Sequence, residues 1–301
     1  SNNTLPENSS YNHFGTQSTN NTFSGDVSNN TLGINFSNNN ISSSFINNMF
    51  GDNCNGNTIT GSCTENQFGA FCSNNLFGDG TVNNIFGNNF YANKIFSDFS
   101  TNSFGPYCNN NIFENSCSNI SFGNNCHNNH FNDGCANISF GNNCYSNSIF
   151  NGCHEISMEN SVYSNIIQST SYGIHFGDGS FSNTIGTSCQ SIMFGNKCNN
   201  NSIGNGNLAN VFGNECNNNS LGQNCTYNTF GNKISNISGE IISFKSNNFR
   251  DNIDFQGISF SPGTLVIADY DCDVFKANDG TIKILLIDGA ANNISINNVT
   301  D

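Results

Sequence analysis

The sequence has very few positively charged side chains. Lys and Arg together number 7 among 301 residues, charged residues of both signs make up 9%, and the formal net charge is −14. Binding to nucleic acid requires clustered cations that neutralise phosphates. We therefore expect no nucleic-acid partner.

Long apolar runs are also missing. No stretch approaches the roughly 18 consecutive apolar residues that a membrane-spanning helix needs, so we predict no membrane insertion. Leu and Ala, which favour helices, are scarce, whereas Gly and Asn, which tolerate left-handed backbone at corners, are abundant. This composition argues against helices and, taken alone, would also fit a disordered Asn-rich tract.

What the sequence does contain is a strict period. Of its 14 cysteines only Cys272 lies at a residue number that is not divisible by nine. The others are Cys54, Cys63, Cys72, Cys108, Cys117, Cys126, Cys135, Cys144, Cys153, Cys189, Cys198, Cys216 and Cys225. A disulfide framework or a metal site does not produce this spacing, whereas a structural repeat without insertions does.

The repeat unit is nine residues long and reads Asn-x-Phe-Gly-x-x-Cys-x-Asn. Twenty-five units run from Asn12 to Asn236, and the third position is apolar in every one. A disordered chain has no reason to keep such a column. The third position therefore predicts a continuous buried core.

Consecutive units alternate between two types, which we call the Asn12 lane and the Asn21 lane after their first members. In the Asn12 lane position four is Gly except at Glu159, whereas in the Asn21 lane Gly is uncommon there. Position one is Asn apart from five Ile residues spaced eighteen apart, all in the Asn12 lane: Ile120, Ile138, Ile156, Ile174 and Ile192. The doubling predicts an all-β fold, a β-solenoid (β-helix) with eighteen residues per coil. We expect Phe and Cys to point inward and the first-position Asn side chains to form ladders between coils.

The cysteines are predicted to be buried free thiols. Their column also accepts Phe, Val, Ser and Thr, which a disulfide partner would not tolerate. The alternative is disulfide bonds between stacked coils, whose separation lies within disulfide range. A spacing of nine does not suit zinc, and the carboxylate ladder of calcium-binding nonapeptide repeats is absent, so we expect no metal and no cofactor.

Three regions follow from the phase of the repeat: an N-terminal lead-in at 1–11, the solenoid at 12–236 and a C-terminal β-rich module at 237–301. In this last region we expect a small β-meander with strands at 264–268, 281–287 and 294–299, separated by turns such as Asn278-Asp279-Gly280. An open solenoid end exposes unpaired backbone groups. We predict that the module caps that end or makes a homo-oligomer, with a trimer favoured.

The consensus decays in one part of the solenoid, where carboxylates, imidazoles and tyrosines replace the usual residues. The candidate binding residues there are His154, Glu155, Glu159, Tyr163, Tyr172 and His175. Paired carboxylates beside aromatic rings suit a carbohydrate subsite or a glycosidase pair. The alternative interpretation is tolerated variation at the surface. No motif of a known catalytic type occurs, so we expect no enzyme activity.

The repeats and the aperiodic C-terminal region, with Tyr270-Asp271-Cys272-Asp273-Val274-Phe275 and Gly280-Thr281-Ile282-Lys283, resemble phage tail-fibre and tail-spike proteins in architecture. This resemblance implies a structural and adhesive fibre in a virion tail, usually a homotrimer that contacts a bacterial surface glycan or protein. Two alternatives are a bacterial surface adhesin or appendage subunit, also extracellular, and a polysaccharide depolymerase.

Overall fold

The structure is a computed structural model that describes residues 2–5 and 9–222, together with short segments at 229–230, 238–239, 247–248, 265–269, 282–287 and 294–299. Every regular element among these residues is a β-strand. The chain divides into two compact units, Ser1–His154 and Glu155–Asp301.

In the first unit the strands form parallel ladders in which each rung joins residues eighteen apart, as Phe104 pairs with Phe122 and Phe122 with Phe140. This confirms the predicted β-solenoid and its coil length. Ladder A consists of Thr4–Leu5, Thr22–Phe23, Asn40–Ile41, Thr58–Ile59, Leu76–Phe77, Lys94–Ile95, Ile112–Phe113, His130–Phe131 and Ser148–Ile149. Ladder B consists of His13–Phe14, Thr31–Leu32, Met49–Phe50, Gln67–Phe68, Ile85–Phe86, Ser100–Phe104, Ser118–Phe122 and Ala136–Phe140.

Two further rows of pairing complete each coil. Ladder C is short and consists of Ser9–Ser10, Val27–Ser28, Phe45–Ile46 and Cys63–Thr64. A row of isolated parallel bridges lies at Thr19, Ser37, Asn55, Ser73, Tyr91, Asn109, His127 and Tyr145. The early coils therefore have four short extended segments, a number that the sequence pattern did not reveal. Ladder C continues as single bridges at Val82 and Ser100 and then merges with ladder B in strands such as Ser118–Phe122.

The second unit repeats this arrangement. Ladder A there contains Ile166–Ile167, Thr184–Ile185, Ser202–Ile203, Ser220–Leu221 and Ser238–Gly239, and ladder B contains Tyr172–Phe176, Gln190–Phe194, Val211–Phe212 and Thr229–Phe230. Isolated bridges join Tyr163, Phe181 and Asn199. The strand His154–Met158 lies at the boundary between the units.

The third-position column forms the apolar core, as predicted. In the first unit Phe104 and Phe122 stack with ring centroids 4.7 Å apart and planes 10° apart, and Phe113 and Phe131 stack at 4.5 Å. Rings of the two columns meet edge to face, as Phe113 and Phe122 do at 88°. In the second unit Phe176 and Phe194 stack at 4.9 Å. Offset stacks and edge-to-face pairs are the favourable arrangements of aromatic rings.

The first-position Asn side chains form the predicted ladders inside the coil. Asn66, for example, is fully buried. Its backbone N–H and its Nδ2 both donate to Oδ1 of Asn84, one coil further on, at 2.9 and 3.0 Å. Nδ2 also donates to the backbone oxygen of Phe45 at 2.9 Å. The side chain thus serves backbone groups that the β-ladders leave unpaired.

The Ile exceptions change the strands locally. Where Ile120 and Ile138 replace Asn they pair with each other, and ladder B lengthens to five-residue strands such as Ser118–Phe122. The second unit shows the same effect at Ile174 and Ile192. An Ile side chain cannot bond the backbone. The β-pairing instead runs through position one at these coils, and it includes Asn102 on the preceding coil, which pairs with Ile120 in the five-residue strand Ser100–Phe104.

The corners require residues that accept left-handed backbone. Position nine has a positive φ in every unit from Asn20 to Asn218. Position four of the Asn12 lane needs Gly for another reason, which is close approach between coils. A Cβ on Gly33 would lie 2.7 Å from the backbone oxygen of Gly15.

The cysteines of the described residues are free and buried, as predicted: Cys54, Cys63, Cys72, Cys108, Cys117, Cys126, Cys135, Cys144, Cys153, Cys189, Cys198 and Cys216. Cys225 and Cys272 lie outside the described residues. The thiols accept hydrogen bonds from the backbone of stacked neighbours, as Cys126 Sγ does from Cys108 N at 3.3 Å. The column therefore packs as a small apolar row with weak polar contacts.

The eighteen-residue register extends past both predicted ends of the solenoid. Thr4–Leu5 pairs with Thr22–Phe23, inside the segment predicted as a lead-in, and Ser238–Gly239 pairs with Ser220–Leu221.

The prediction of a β-meander near the C-terminus was wrong. Leu265–Asp269 pairs with Asn247–Asn248 and with Ile282–Ile287 in parallel, and only Ile282–Ile287 and Ile294–Val299 are antiparallel. The parallel pair still joins residues eighteen apart, such as Leu265 and Lys283. The eighteen-residue spacing persists here although the consensus residues do not. A search for recurring residues in the sequence therefore could not detect this parallel pairing. The turn predicted at 278–280 lies outside the described residues.

Replacing Phe122 by Ala should lower the local free energy of unfolding by about 3–5 kcal/mol, the usual loss for an emptied core Phe site. Because solenoid stability is a sum of neighbouring-coil terms, hydrogen exchange of the flanking coils measures the loss better than one melting temperature. Ile112→Ala, at an exposed side chain, is the control. Equal protection in both variants would show that this column is not the core.

Asn129→Ala should cost about 3 kcal/mol or more, because each buried polar group left unpaired costs about 1–3 kcal/mol. Asn129 Nδ2 donates to the Cys108 oxygen at 3.0 Å, and Oδ1 accepts from the backbone of Asn111 at 3.2 Å. Denaturant unfolding and hydrogen exchange report the loss, with the exposed Asn151→Ala as control. A loss below about 1 kcal/mol would contradict the ladder's role.

Stability should fall in alkaline solution. Burial raises the pKa of the Cys63 thiol to about 12 from an ordinary 9.0. As pH rises, the thiol ionises in the unfolded chain before it ionises in the folded protein. The contribution of the buried, neutral Cys63 thiol to the free energy of unfolding is therefore complete below about pH 9. It is lost toward pH 12, at about 1.4 kcal/mol per pH unit. Denaturant unfolding of Cys63→Val should show a shallower loss over this range than the parent protein. Identical slopes would contradict the assignment.

Candidate binding surfaces

The sequence-predicted site residues are divided between the two units. His154 is the last residue of the first unit, and Glu155, Glu159, Tyr163, Tyr172 and His175 belong to the second.

Tyr172 and His175 share one strand and one side of the coil. Both are exposed, and the buried Ile174 lies between them on Tyr172–Phe176. Glu155 has a left-handed backbone, with φ 54°. A Cβ built on Gly173, one coil further on, would lie 3.4 Å from the backbone nitrogen of Glu155. Glu155, Tyr172 and His175 therefore lie on adjacent coils of the same side.

Tyr163 belongs to a different row. Its ring stacks on Phe181 with centroids 5.0 Å apart and planes 6° apart. Within the second unit Tyr163 therefore lies on another row than Tyr172 and His175.

Glu155 and Glu159 are both exposed. Glu155 lies within the strand His154–Met158, and Glu159 directly follows its last residue.

The structure reveals a different cluster in the first unit, on position four of the Asn21 lane. Phe96, Glu114, Asn132 and Phe150 stand on four consecutive coils, and each donates its backbone N–H to the third-position oxygen of the preceding coil at 2.9 Å. The four residues therefore occupy equivalent places in one row. We call this row, with Lys94 and His130 beside it, the Glu114 cluster.

Side-chain contacts tie the cluster together. Lys94 Nζ lies 3.1 Å from Glu114 Oε1 and 5.1 Å from the centre of the Phe96 ring. Asn132 Nδ2 donates to Glu114 Oε2 at 2.7 Å. At the other end the His130 and Phe150 rings are 4.4 Å apart and tilted by 57°. Apart from the Lys94–Phe96 contact, which lies within one coil, these contacts join residues of adjacent coils, so the arrangement depends on the stacking.

The hydrogen bond from Lys94, followed by that from Asn132 and the nearby His130, holds the pKa of the Glu114 carboxyl below its ordinary value. Glu114 is therefore ionised at neutral pH. Its two oxygens each have a donor within the cluster, while part of the side chain stays open to solvent.

Sequence reasoning missed this cluster although a signal was present. Position four of the Asn21 lane was recognised only as poor in Gly. Its earlier members in this unit are the small residues Ser24, Ser42, Thr60 and Gly78, and large side chains then follow on four successive coils. That abrupt change, read down the lane rather than along the chain, could have identified the row.

Comparison with known proteins gave no match: no family model, no curated protein and no solved structure is significantly similar to this chain. The described residues contain no helix able to cross a membrane. Nor do three or more His, Cys, Asp or Glu side chains converge as a metal site would require, within the part of the chain that the structure describes.

Lys94→Met should raise the pKa of Glu114 toward an ordinary carboxyl value, because the largest favourable contact to the ionised form is removed. Side-chain carboxyl titration by NMR measures this change directly. A lowered pKa contributes stability above the unfolded value that is lost as pH falls, but this pair is partly exposed, so the effect on unfolding should be about 1 kcal/mol or less. An unchanged Glu114 titration would show that the ion pair does not persist in solution.

Proposed function

We propose that this protein is a structural and adhesive fibre module, a phage tail fibre or receptor-binding protein that contacts a bacterial surface. The observation that carries the proposal is the regular register of the outward side chains. Each outward position recurs every eighteen residues on the next coil, and stacked surface rings such as His127 and Tyr145, 4.6 Å apart, follow from that register. A rigid surface with repeated side chains is suited to binding an extended partner at low ordering cost.

We further propose that the module assembles as a homotrimer through residues 237–301. Among the described residues, the strand Ile294–Val299 pairs on one side only, with Ile282–Ile287. An unpaired edge of this kind invites uncontrolled pairing between chains. Closed symmetry satisfies such edges without open-ended polymerisation.

Light scattering on the intact protein tests the assembly, and we expect the mass of three chains. A chain ending at Asn236 is expected to be monomeric. A monomeric intact protein, or an unchanged oligomer after truncation, would contradict the trimer.

Binding of the fluorescently labelled intact protein to a panel of bacterial strains tests the adhesive role. We expect saturable binding to some strains and competition by surface polysaccharide extracted from them. Absence of binding to every strain would contradict adhesion. Release of reducing sugar from the bound polysaccharide would replace the fibre proposal with a depolymerase.

A further inference from the structure

The Glu114 cluster combines features that seldom meet on a surface of this composition. Two aromatic rings, Phe96 and Phe150, stand at the ends of one row, with a carboxylate and an amide on the two coils between them. Three coil spacings separate the backbone positions of the two residues by about 14 Å. Both rings are half-buried and have a side-chain neighbour, Lys94 at Phe96 and His130 at Phe150, so the accessible part of each ring flanks a polar centre along the coil axis.

We propose that the Glu114 cluster is a binding subsite for a neutral oligosaccharide that lies along the coil axis. The inference rests on the proposed adhesive function and specifies where the ligand binds and to which chemical class it belongs.

The side-chain chemistry matches a chain of sugars. The C–H face of a sugar ring packs on an aromatic ring, and its hydroxyl groups both donate and accept hydrogen bonds. An ionised carboxylate such as Glu114 accepts from hydroxyls at lone pairs beyond those used by Lys94 and Asn132. The Asn132 amide has a second N–H and a carbonyl oxygen in addition to its bond with Glu114. A single sugar is shorter than the distance between the rings, so the site fits an oligosaccharide.

Charge selects against an acidic ligand. The chain carries a formal net charge of −14, and the nearest cation, Lys94, already pairs with Glu114. An anionic polysaccharide would be repelled without gaining a free partner. A neutral glycan is not repelled by the negative charge and does not need a cationic partner.

The site is also largely organised before binding. Glu114 is held from both sides, at 3.1 Å by Lys94 and at 2.7 Å by Asn132, and all four residues of the row have hydrogen-bonded backbones. Ordering a mobile side chain costs binding energy, and this cost is small where contacts already fix the side chain.

The test uses the intact protein and a panel of neutral hexasaccharides built from glucose, mannose or galactose, with matched acidic oligosaccharides. Binding is measured by isothermal titration calorimetry. We expect at least one neutral hexasaccharide to bind, and Glu114→Gln, Asn132→Ala and Phe150→Ala each to weaken that binding about tenfold or more, as expected for loss of a charge-assisted hydrogen bond or a ring platform.

Two matched controls separate the site from general surface effects. Glu215→Gln alters a second Lys–Glu pair, in the second unit, in which Lys197 Nζ lies 3.8 Å from Glu215 Oε2. Phe71→Ala removes an exposed ring, 51% accessible, from another row of the first unit. Both should leave the dissociation constant unchanged. Circular dichroism melts of all variants confirm that each remains folded.

The outcomes distinguish this inference from the adhesive function itself. Full affinity in all three cluster variants, an equal loss in the controls, or binding of acidic oligosaccharides alone would overturn the subsite. Failure of every neutral hexasaccharide to bind, while the intact protein still binds bacterial strains, would likewise overturn it and leave the adhesive proposal standing. If the protein binds neither bacteria nor glycans, both fail.

Discussion

The fold depends on the hydrogen bonds of one buried side chain, the first-position Asn. A coil that turns four times in eighteen residues has only short β-ladders, so many backbone groups near the corners lack a strand partner. Asn is short enough to fit inside the corner and carries both a donor and an acceptor. Asp lacks the donor and Gln is longer. The column is therefore Asn in all but five units, and Ile replaces Asn only where ladder B has a five-residue strand, as at Ile120.

Asn ladders and Phe stacks have different effects on the free energy. Burial of aromatic rings such as Phe113 and Phe131 provides most of the gain from removing apolar surface from water. The amides add less net stabilisation, but a coil displaced by one residue would leave them unpaired inside the protein. Apolar packing thus favours a compact stack, and the amide ladders fix its register. The small number of charged residues is compatible with this fold because neither the ring stacks nor the amide ladders require a charged side chain.

The sequence predicted the coil length, the Phe core, the Asn ladders and the free thiols because each constraint recurs many times in one column. It did not predict the four segments per coil, since two-residue strands such as Thr58–Ile59 are too short to show alternation. The Glu114 cluster depends on side chains that meet across coils and rows, as Lys94 and Glu114 do, and no single unit displays that contact. Grouping His154 to His175 by proximity in the chain combined residues such as Tyr163 and Tyr172 that occupy different rows.

The inequality of the two lanes restricts how a gene for such a protein can change in length. Deleting one nine-residue unit preserves the consensus at every position, yet it moves all later units into the opposite lane. Ile120 would then stack on the Asn21 lane, whose amides need an amide neighbour. Larger residues such as Phe96 would occupy positions where the coils approach closely and Gly is required, as at Gly33. Recombination in whole coils avoids both conflicts. Evolution of this scaffold should therefore proceed by duplication and loss of eighteen codons at a time, which encode one pair of units and one full turn.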